Sequence, residues 1–534
     1  MRSFFFRDSE CRLALIVWLG LFALAFVYGY TVLANHTISP EIALAYLTLA
    51  PVDSWTEVFK KFFSFQETWY RPFTFYFTNY IVYSFIDFRD IVSIKTLSLI
   101  MIFLNTVMLL LVARRFLRIN LVEVALIAGL TLSHPTYFYT AAEASGLTDS
   151  FFSIFINLFL LSFIPLLEQH RALLVDATVA VSRKRQFVLA AAAVVCMMLT
   201  ITSQERGLCI FFIIGALSIY YYLDQLKNIK LFDWRLNLPV ILAIGSGLLM
   251  ALCYVLFVIK SRLGWTGDVY RTNIDPTYIL PNLLKAIELP MRVILFPMQR
   301  SEHYYNVHQE LLFNLMAVPF VIAAVAYVAE VLRKGSVVDK LRLSVLTLLI
   351  ACTLPIPVIS GSSPWHFYQA SLYMSVIVGR GVYLMLTKWL RWAWMRFAFV
   401  ICIYALLSFS VIRGFEQELG QPGTFSMMEM LLRIDRSLNS KTLKDVPFIP
   451  DLVYYDTADY NTNTWSFGGQ GNLFKFVYQR PQIVEIAISK GNVIESDKPL
   501  CKKIESKRAL AFALDNKTFE WHSIPVNNYC AGLN

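Results

Sequence analysis

The sequence predicts a polytopic α-helical membrane protein with about eleven transmembrane helices and a small α+β extracytoplasmic C-terminal domain. Three observations predict it. First, the 534 residues are 57% hydrophobic and only 16% charged, against about 25% charged in soluble domains. Second, apolar runs of about 18 residues or more, each long enough to cross a bilayer, recur along the chain. Third, basic clusters fall in every second connection between those runs, as the positive-inside rule requires.

The first expected span covers 13–33. Its apolar core is too long for a signal peptide and no small-residue cleavage site follows, so it reads as a retained anchor. A long polar and aromatic loop, 34–91, comes next, containing "DSWTEVFKKFFSF" (53–65). Its apolar residues recur at helical spacing with charges between them, the pattern of a helix lying on the membrane surface. The next spans are expected at 92–113, 121–140, 149–167, 187–203, 207–223 and 238–259. A second long loop, 260–310, carries the proline-broken amphipathic stretch 278–298. Spans at 311–332, 341–358, 367–387 and 397–413 complete a membrane domain of 1–413, leaving 414–534 as the C-terminal domain. There "FSMMEMLLRIDRSL" (425–438) reads as a helix, and "DLVYYD", "KFVYQ" and "QIVEIAIS" read as strands.

The charges give a topology. "RRFLR", "SRKRQ", "KNIKLFDWR", "RKGSVVDKLR" and "KWLRWAWMR" all fall on one side, together with Arg2, Arg7 and Arg12. That side is expected to be cytoplasmic and the tail extracytoplasmic, with a bacterial inner membrane as the setting. The net charge of +10 is thus spent on orientation and does not suggest nucleic acid. Five of the eight cysteines, Cys196, Cys209, Cys253, Cys352 and Cys402, lie in apolar runs, where cysteine behaves as a small hydrophobe. Cys501 and Cys530 share the polar tail, and outside the cytoplasm they are expected to form a disulfide. No Cys/His spacing suits a metal. No phosphate-cradling glycine loop suits a cytoplasmic nucleotide. Neither a catalytic metal nor a cofactor is therefore expected.

The opposite face gathers acids and bases from several loops. Glu41, Asp53 and Arg71 lie in the first loop, and His134, Glu143 and Asp149 in the stretch "HPTYFYTAAEASGLTD". Glu205 and Arg206 sit in "SQER", Arg300 and His303 in the 260–310 loop, and His366 in "SGSSPWHF". Ionisable groups at membrane depth are costly and tend to be functional or paired. Individually each has a plainer reading: Glu41 after Ser39-Pro40, Asp53 before a helix and Asp149 opening a span all suit helix N-termini. His134 before Pro135 suits a turn, and the arginines can reach lipid headgroups.

Several of these residues carry a resemblance. "WYRPFTFYF" (69–77), a span ending in "ARRF", and then "HPTYFYTAAEASGLTD" resemble the first third of the integral-membrane GT-C glycosyltransferases. Among these, the resemblance is to the protein O-mannosyltransferases that carry tetratricopeptide repeats. Their Tyr-Arg-Pro after the first outer loop is matched at Tyr70-Arg71-Pro72. Their His-Pro stretch ending in Gly-x-x-acid is matched by His134-Pro135, Gly146 and Asp149. Their Lys-Glu pair at an outer helix end corresponds to Gln204-Glu205, and their tyrosine-rich late span to "WHFYQASLYMSVIVGRG" (365–381). The resemblance spans roughly 10–390. Three features depart from the pattern: the acidic pair after the first span is reduced to Glu41, an arginine becomes Leu147, and the repeats are replaced by 414–534.

The resemblance implies an inverting transfer of a sugar from a polyprenyl-phosphate donor to a glycan, lipid or protein acceptor outside the cytoplasm. Such chemistry needs a carboxylate as general base and cationic donors for the leaving phosphate. Glu41 is the first choice for the base and Asp53 the second, with Asp149 and Glu143 orienting the acceptor or supporting the base. Arg71, His134, Glu205, Arg206, Arg300, His303 and His366 are the donor- and phosphate-binding candidates. Two other classes share some of these features: O-antigen polymerases or ligases, and transporters or flippases. Transporters place charges near the midplane in repeated halves, whereas here the charges sit at span ends and no repeat is visible.

Overall fold

The computed structural model describes residues 9–34, 54–62, 73, 91–134, 136–137, 141, 146–175, 182–222, 234–263, 279–280, 283, 311–354, 358, 367–419, 452–456, 484–488, 509–514 and 521–523. The architecture is a helical bundle with a short sheet formed by the tail. Helix α1 covers Ser9–Ala34, the short α2 Trp55–Phe62, α3 Ile91–Leu117 and α4 Leu121–Leu132. They are followed by α5 Gly146–Val175, α6 Arg183–Ser203, α7 Cys209–Tyr222 and α8 Trp234–Leu263. The last four are α9 Leu311–Lys334, α10 Val337–Cys352, α11 Tyr368–Leu384 and α12 Ala393–Leu419.

Among the described residues, seven helices are long and apolar enough to cross a membrane. They are Glu10–Ala34, Lys95–Leu117, Asp149–Leu174, Arg183–Ser203, Leu238–Leu256, Tyr368–Trp389 and Ala393–Phe415, fewer than the number of spans expected. The expected spans at 121–140, 207–223, 311–332 and 341–358 fall on helices α4, α7, α9 and α10. The surface fits lipid as solvent: Leu19, Phe22, Phe26 and Tyr30 of α1 point outward, Phe26 being 74% exposed. That much outward-facing aromatic surface is unfavourable in water and suited to acyl chains. The chain is a multi-pass integral membrane protein.

Local sequence sets the helix ends. Asn120 accepts from the Val122 and Glu123 backbone N–H groups while Glu123 reaches back to the Asn120 N–H, a complete capping box that starts α4. Ser336 and Asp339 do the same for α10. At α2 the capping side chain is Ser54, whose Oγ accepts from the Glu57 N–H at 3.2 Å. Val58 on that helix is buried while Trp55 and Phe59 are exposed, as an amphipathic surface helix requires.

In the bundle, α5 packs along α6 and α3, α1 along α12, and α11 between α9 and α4. Gly381 makes the α9–α11 approach possible, because a Cβ there would lie 2.0 Å from the Ala323 carbonyl oxygen. Ion pairs and ring contacts fix which helix ends lie together. Arg115–Glu168 joins the ends of α3 and α5, Lys388–Glu330 the ends of α11 and α9, and His170–Tyr222 the ends of α5 and α7. The basic helix ends therefore share one end of the bundle, as the charge pattern predicts. In the tail, β1 (Leu452–Asp456), β2 (Val484–Ile488), β3 (Ala509–Leu514) and β4 (Trp521–Ser523) form a sheet of order β2-β1-β3-β4. β1 pairs parallel with both neighbours and β3 antiparallel with β4. Two of the expected strands, "DLVYYD" and "QIVEIAIS", coincide with β1 and β2. The expected helix 425–438, the strand "KFVYQ" and the Cys501–Cys530 pair lie outside the described residues.

Candidate functional site

At the end of the bundle opposite the basic one, the start of α5 meets the end of α6. Asp149 lies in the first turn of α5 and is 3% exposed. Its Oδ1 accepts from Gln204 Nε2 at 3.0 Å and from the Arg206 guanidinium, an ion pair with both side chains nearly out of solvent. Arg206 also lies over the Phe152 ring, 5.5 Å from its centroid.

The backbone that delivers Gln204 and Arg206 is a tight reversal. Gln204 ends α6 in an extended conformation, and Glu205–Leu208 forms a 3₁₀ turn leading into α7. The Gly207 N–H bonds the Gln204 carbonyl at 2.9 Å. A Cβ at Gly207 would sit 2.4 Å from the Thr200 carbonyl oxygen, so only glycine lets the turn fold back this closely. The absence of a side chain at 207 thus helps set the position of Arg206.

Beneath the ion pair runs a buried polar network. Asn157 Nδ2 donates to Asn105 Oδ1 at 2.8 Å, and Asn105 Nδ2 donates to the Tyr368 hydroxyl at 2.7 Å. The Tyr137 and Tyr368 rings lie 4.4 Å apart. Ser153 bonds Gln369, whose Nε2 donates to the Tyr373 hydroxyl at 2.8 Å. Polar groups in a bilayer must be satisfied by other protein groups, and here they tie α3, α5 and α11 together directly under Asp149. His134 is wholly buried just past α4. Its Nδ1 lies 2.9 Å from Thr136 Oγ1 and accepts from the Thr136 N–H at 3.3 Å, while its carbonyl accepts from the Tyr137 N–H. These bonds shape a turn that carries Tyr137 into the network.

The structure thus brings Asp149 and Arg206 together, sets His134 in the neighbouring turn and places Glu205 in the turn that carries Arg206. Glu41, Asp53, Arg71, Glu143, Arg300, His303 and His366 lie outside the described residues. Sequence reasoning passed over Asn105 and Asn157, although two asparagines inside apolar runs are a signal of a buried polar contact, and it reached Tyr368 and Gln369 only as part of the stretch 365–381. It also missed Lys95, only 3% exposed at the start of α3. That helix start lies at the same end as Asp149, since Leu97 and Phe151 pack in one aromatic cluster around Phe73. Among the described residues no group of three or more His, Cys, Asp or Glu side chains is placed to hold a metal ion.

No protein-family model and no curated protein matches the sequence. Solved structures do. ArnT from Cupriavidus metallidurans, bound to undecaprenyl phosphate, matches with TM-score 0.51 and 12% identity over 97% of this chain and 94% of its own. The archaeal oligosaccharyltransferase AglB from Archaeoglobus fulgidus, in complex with an inhibitory peptide and a dolichol-phosphate, matches with TM-score 0.50 and 11% identity over 93% of this chain and 69% of its own. The apo form of the Archaeoglobus fulgidus oligosaccharyltransferase matches with TM-score 0.48 and 12% identity over 89% of this chain, which spans 64% of that chain's length. At such identities the likeness is one of fold. ArnT and AglB are both GT-C glycosyltransferases, and the chain shares their fold.

Proposed function

We propose that the chain is a glycosyltransferase that moves a sugar from a polyprenyl-phosphate carrier to a glycan, lipid or protein acceptor on the extracytoplasmic side. The observation that carries this reading is the water-excluded Asp149–Arg206–Gln204 cluster at the non-basic end of a GT-C bundle. The two structural neighbours with TM-scores of 0.50 and above hold undecaprenyl phosphate and a dolichol-phosphate, which supports a lipid-phosphate donor for this chain.

In this reading Asp149 is a positioning residue and not the base. Its Oδ1 already takes two donors, one of them cationic. What the pair accomplishes is to hold at fixed orientation a guanidinium, whose planar fork suits phosphate oxygens. The acceptor hydroxyl attacks the anomeric carbon from the face opposite the carrier. The new C–O bond forms as the bond to the phosphate oxygen breaks, and the electron pair leaves with the polyprenyl phosphate. The hydroxyl proton passes to a carboxylate, for which Glu41 is the first candidate and Asp53 the second. A preorganised cation beside the leaving oxygen contributes most in a site that excludes water.

The test is sugar transfer in vesicles that contain the full chain, a panel of labelled polyprenyl-phosphate sugars and a cell-envelope extract as acceptor. Label is expected to leave one donor and appear in the extract, with transfer lost in Arg206→Gln. Intact donors across the panel, in vesicles where the chain is folded, would overturn the reading.

A further inference from the structure

At the opposite end of the bundle lies a second concave site that the transfer chemistry does not use. A cavity of about 460 Å³ opens between the ends of α3, α5 and α7 and the start of α10. Arg115, Arg118, Arg171 and Arg342 line it, with Glu168 and Tyr221. Glu168 binds Arg115 at 2.5 Å and accepts from the Tyr221 hydroxyl at 3.4 Å, so that carboxylate is committed to one arginine. The other nearby acid, Asp339, is 3.8 Å from Arg342 and engaged by Ser336. Among the described residues, four guanidiniums and one carboxylate line the cavity.

Two features separate this from the scattered basic residues that merely orient a membrane protein. Arg342 is drawn into the protein, its side chain 18% exposed, and among the described residues its buried Nε has no hydrogen-bond partner, Asp339 standing 3.8 Å from the Nη1 end. Arg118 sits at φ 55, the one described non-glycine residue with a left-handed backbone, at a position where a helix end ordinarily uses glycine. A residue kept in that conformation points to a use for its side chain.

The geometry points to a binding site for a phosphate-bearing anion at this end of the bundle, with Arg118 and Arg342 as its principal donors. Guanidiniums in a fork arrangement suit phosphate oxygens, and the cavity lies at helix ends, the part of a spanning bundle that meets headgroups. The phosphate belongs either to an anionic lipid headgroup or to a soluble phosphate compound.

Native mass spectrometry of the full-length chain separates these sources, with phosphatidylglycerol, phosphatidylcholine and inorganic phosphate as probes. The expected result is preferential retention of phosphatidylglycerol over phosphatidylcholine, or phosphate adducts that displace it. Retention that inorganic phosphate does not displace assigns a lipid headgroup, and displacement assigns a soluble phosphate compound. Arg118→Asn, which tolerates the left-handed backbone, and Arg342→Gln are each expected to weaken retention about ten-fold. Arg118 is exposed, so its variant tests the site without threatening the fold. Equal retention of both lipids with no phosphate adduct, or variants that retain the probes as the parent does, would overturn the proposal.

Discussion

Replacing Asp149 with alanine tests whether the ion pair at the head of α5 is a buried charge pair in the energetic sense. The side chains of Arg206 and Asp149 are 10% and 4% exposed, so water cannot replace the carboxylate once it is gone. Breaking a buried pair by removing one partner costs about 3–5 kcal/mol, a large share of the roughly 5–15 kcal/mol that holds a folded domain. Asp149→Asn keeps an acceptor oxygen for Gln204 and Arg206 and is expected to cost less. The double variant Asp149→Ala/Arg206→Met removes both charges and is expected to recover most of the loss, giving a coupling energy of about 3 kcal/mol or more. Arg115–Glu168 supplies the contrast. Its side chains are 43% and 38% exposed, so water screens it and Glu168→Gln should cost about 0–1 kcal/mol. The assay is reversible unfolding of the full chain in one detergent, single and double variants side by side. Should Asp149→Ala cost no more than Glu168→Gln, or the two single losses simply add, the two groups are not the coupled buried pair described above.

The other expectations follow the chain. Glu41→Gln, if Glu41 is the base, should lower transfer about 10²–10⁴-fold with donor binding unchanged, while Asp53→Asn stays active; the reverse outcome moves the base to Asp53. Gly207→Ala puts a Cβ 2.4 Å from the Thr200 carbonyl, so the turn must shift, with an expected loss of about 1–3 kcal/mol and of phosphate binding together. Tyr368→Phe removes the acceptor of the 2.7 Å bond from Asn105; in a membrane such bonds average about 0.6 kcal/mol, so a small drop in melting temperature with transfer largely kept is expected. Tyr460→Cys in a variant without other cysteines should react with an impermeant thiol reagent on intact cells, and labelling only after lysis would reverse the topology.

Composition and charge pattern made the bundle legible because a bilayer imposes two strong rules, apolar length and basic loops. Among the described residues seven helices meet the length rule for that reason, while α4, α7 and α10, at 12, 14 and 16 residues, are shorter than the spans expected there. The Gly146-x-x-Asp149 spacing and the "SQER" stretch pointed to residues that do meet in space. The partner of Asp149 was legible only as a candidate, because a contact between residues 57 positions apart depends on how α5 packs along α6. The Asn105–Asn157–Tyr368 network was harder still. Each member reads as an isolated polar residue in an apolar run, and the signal appears only when three helices are brought together. At α2 the hydroxyl of Ser54 caps the Glu57 N–H, while Asp53 lies outside the described residues.

The central claim is that this GT-C bundle uses Arg206, held by Asp149, to bind the leaving phosphate of a polyprenyl-phosphate sugar. The most direct measurement is the rate of carrier-phosphate release from a labelled polyprenyl-phosphate sugar in vesicles containing the parent chain, Arg206→Gln or Asp149→Asn. The account predicts release with the parent, weaker donor binding and about a hundred-fold or greater loss of release with Arg206→Gln, and an intermediate loss with Asp149→Asn. Release by Arg206→Gln at the parent rate, with the variant folded, would contradict it.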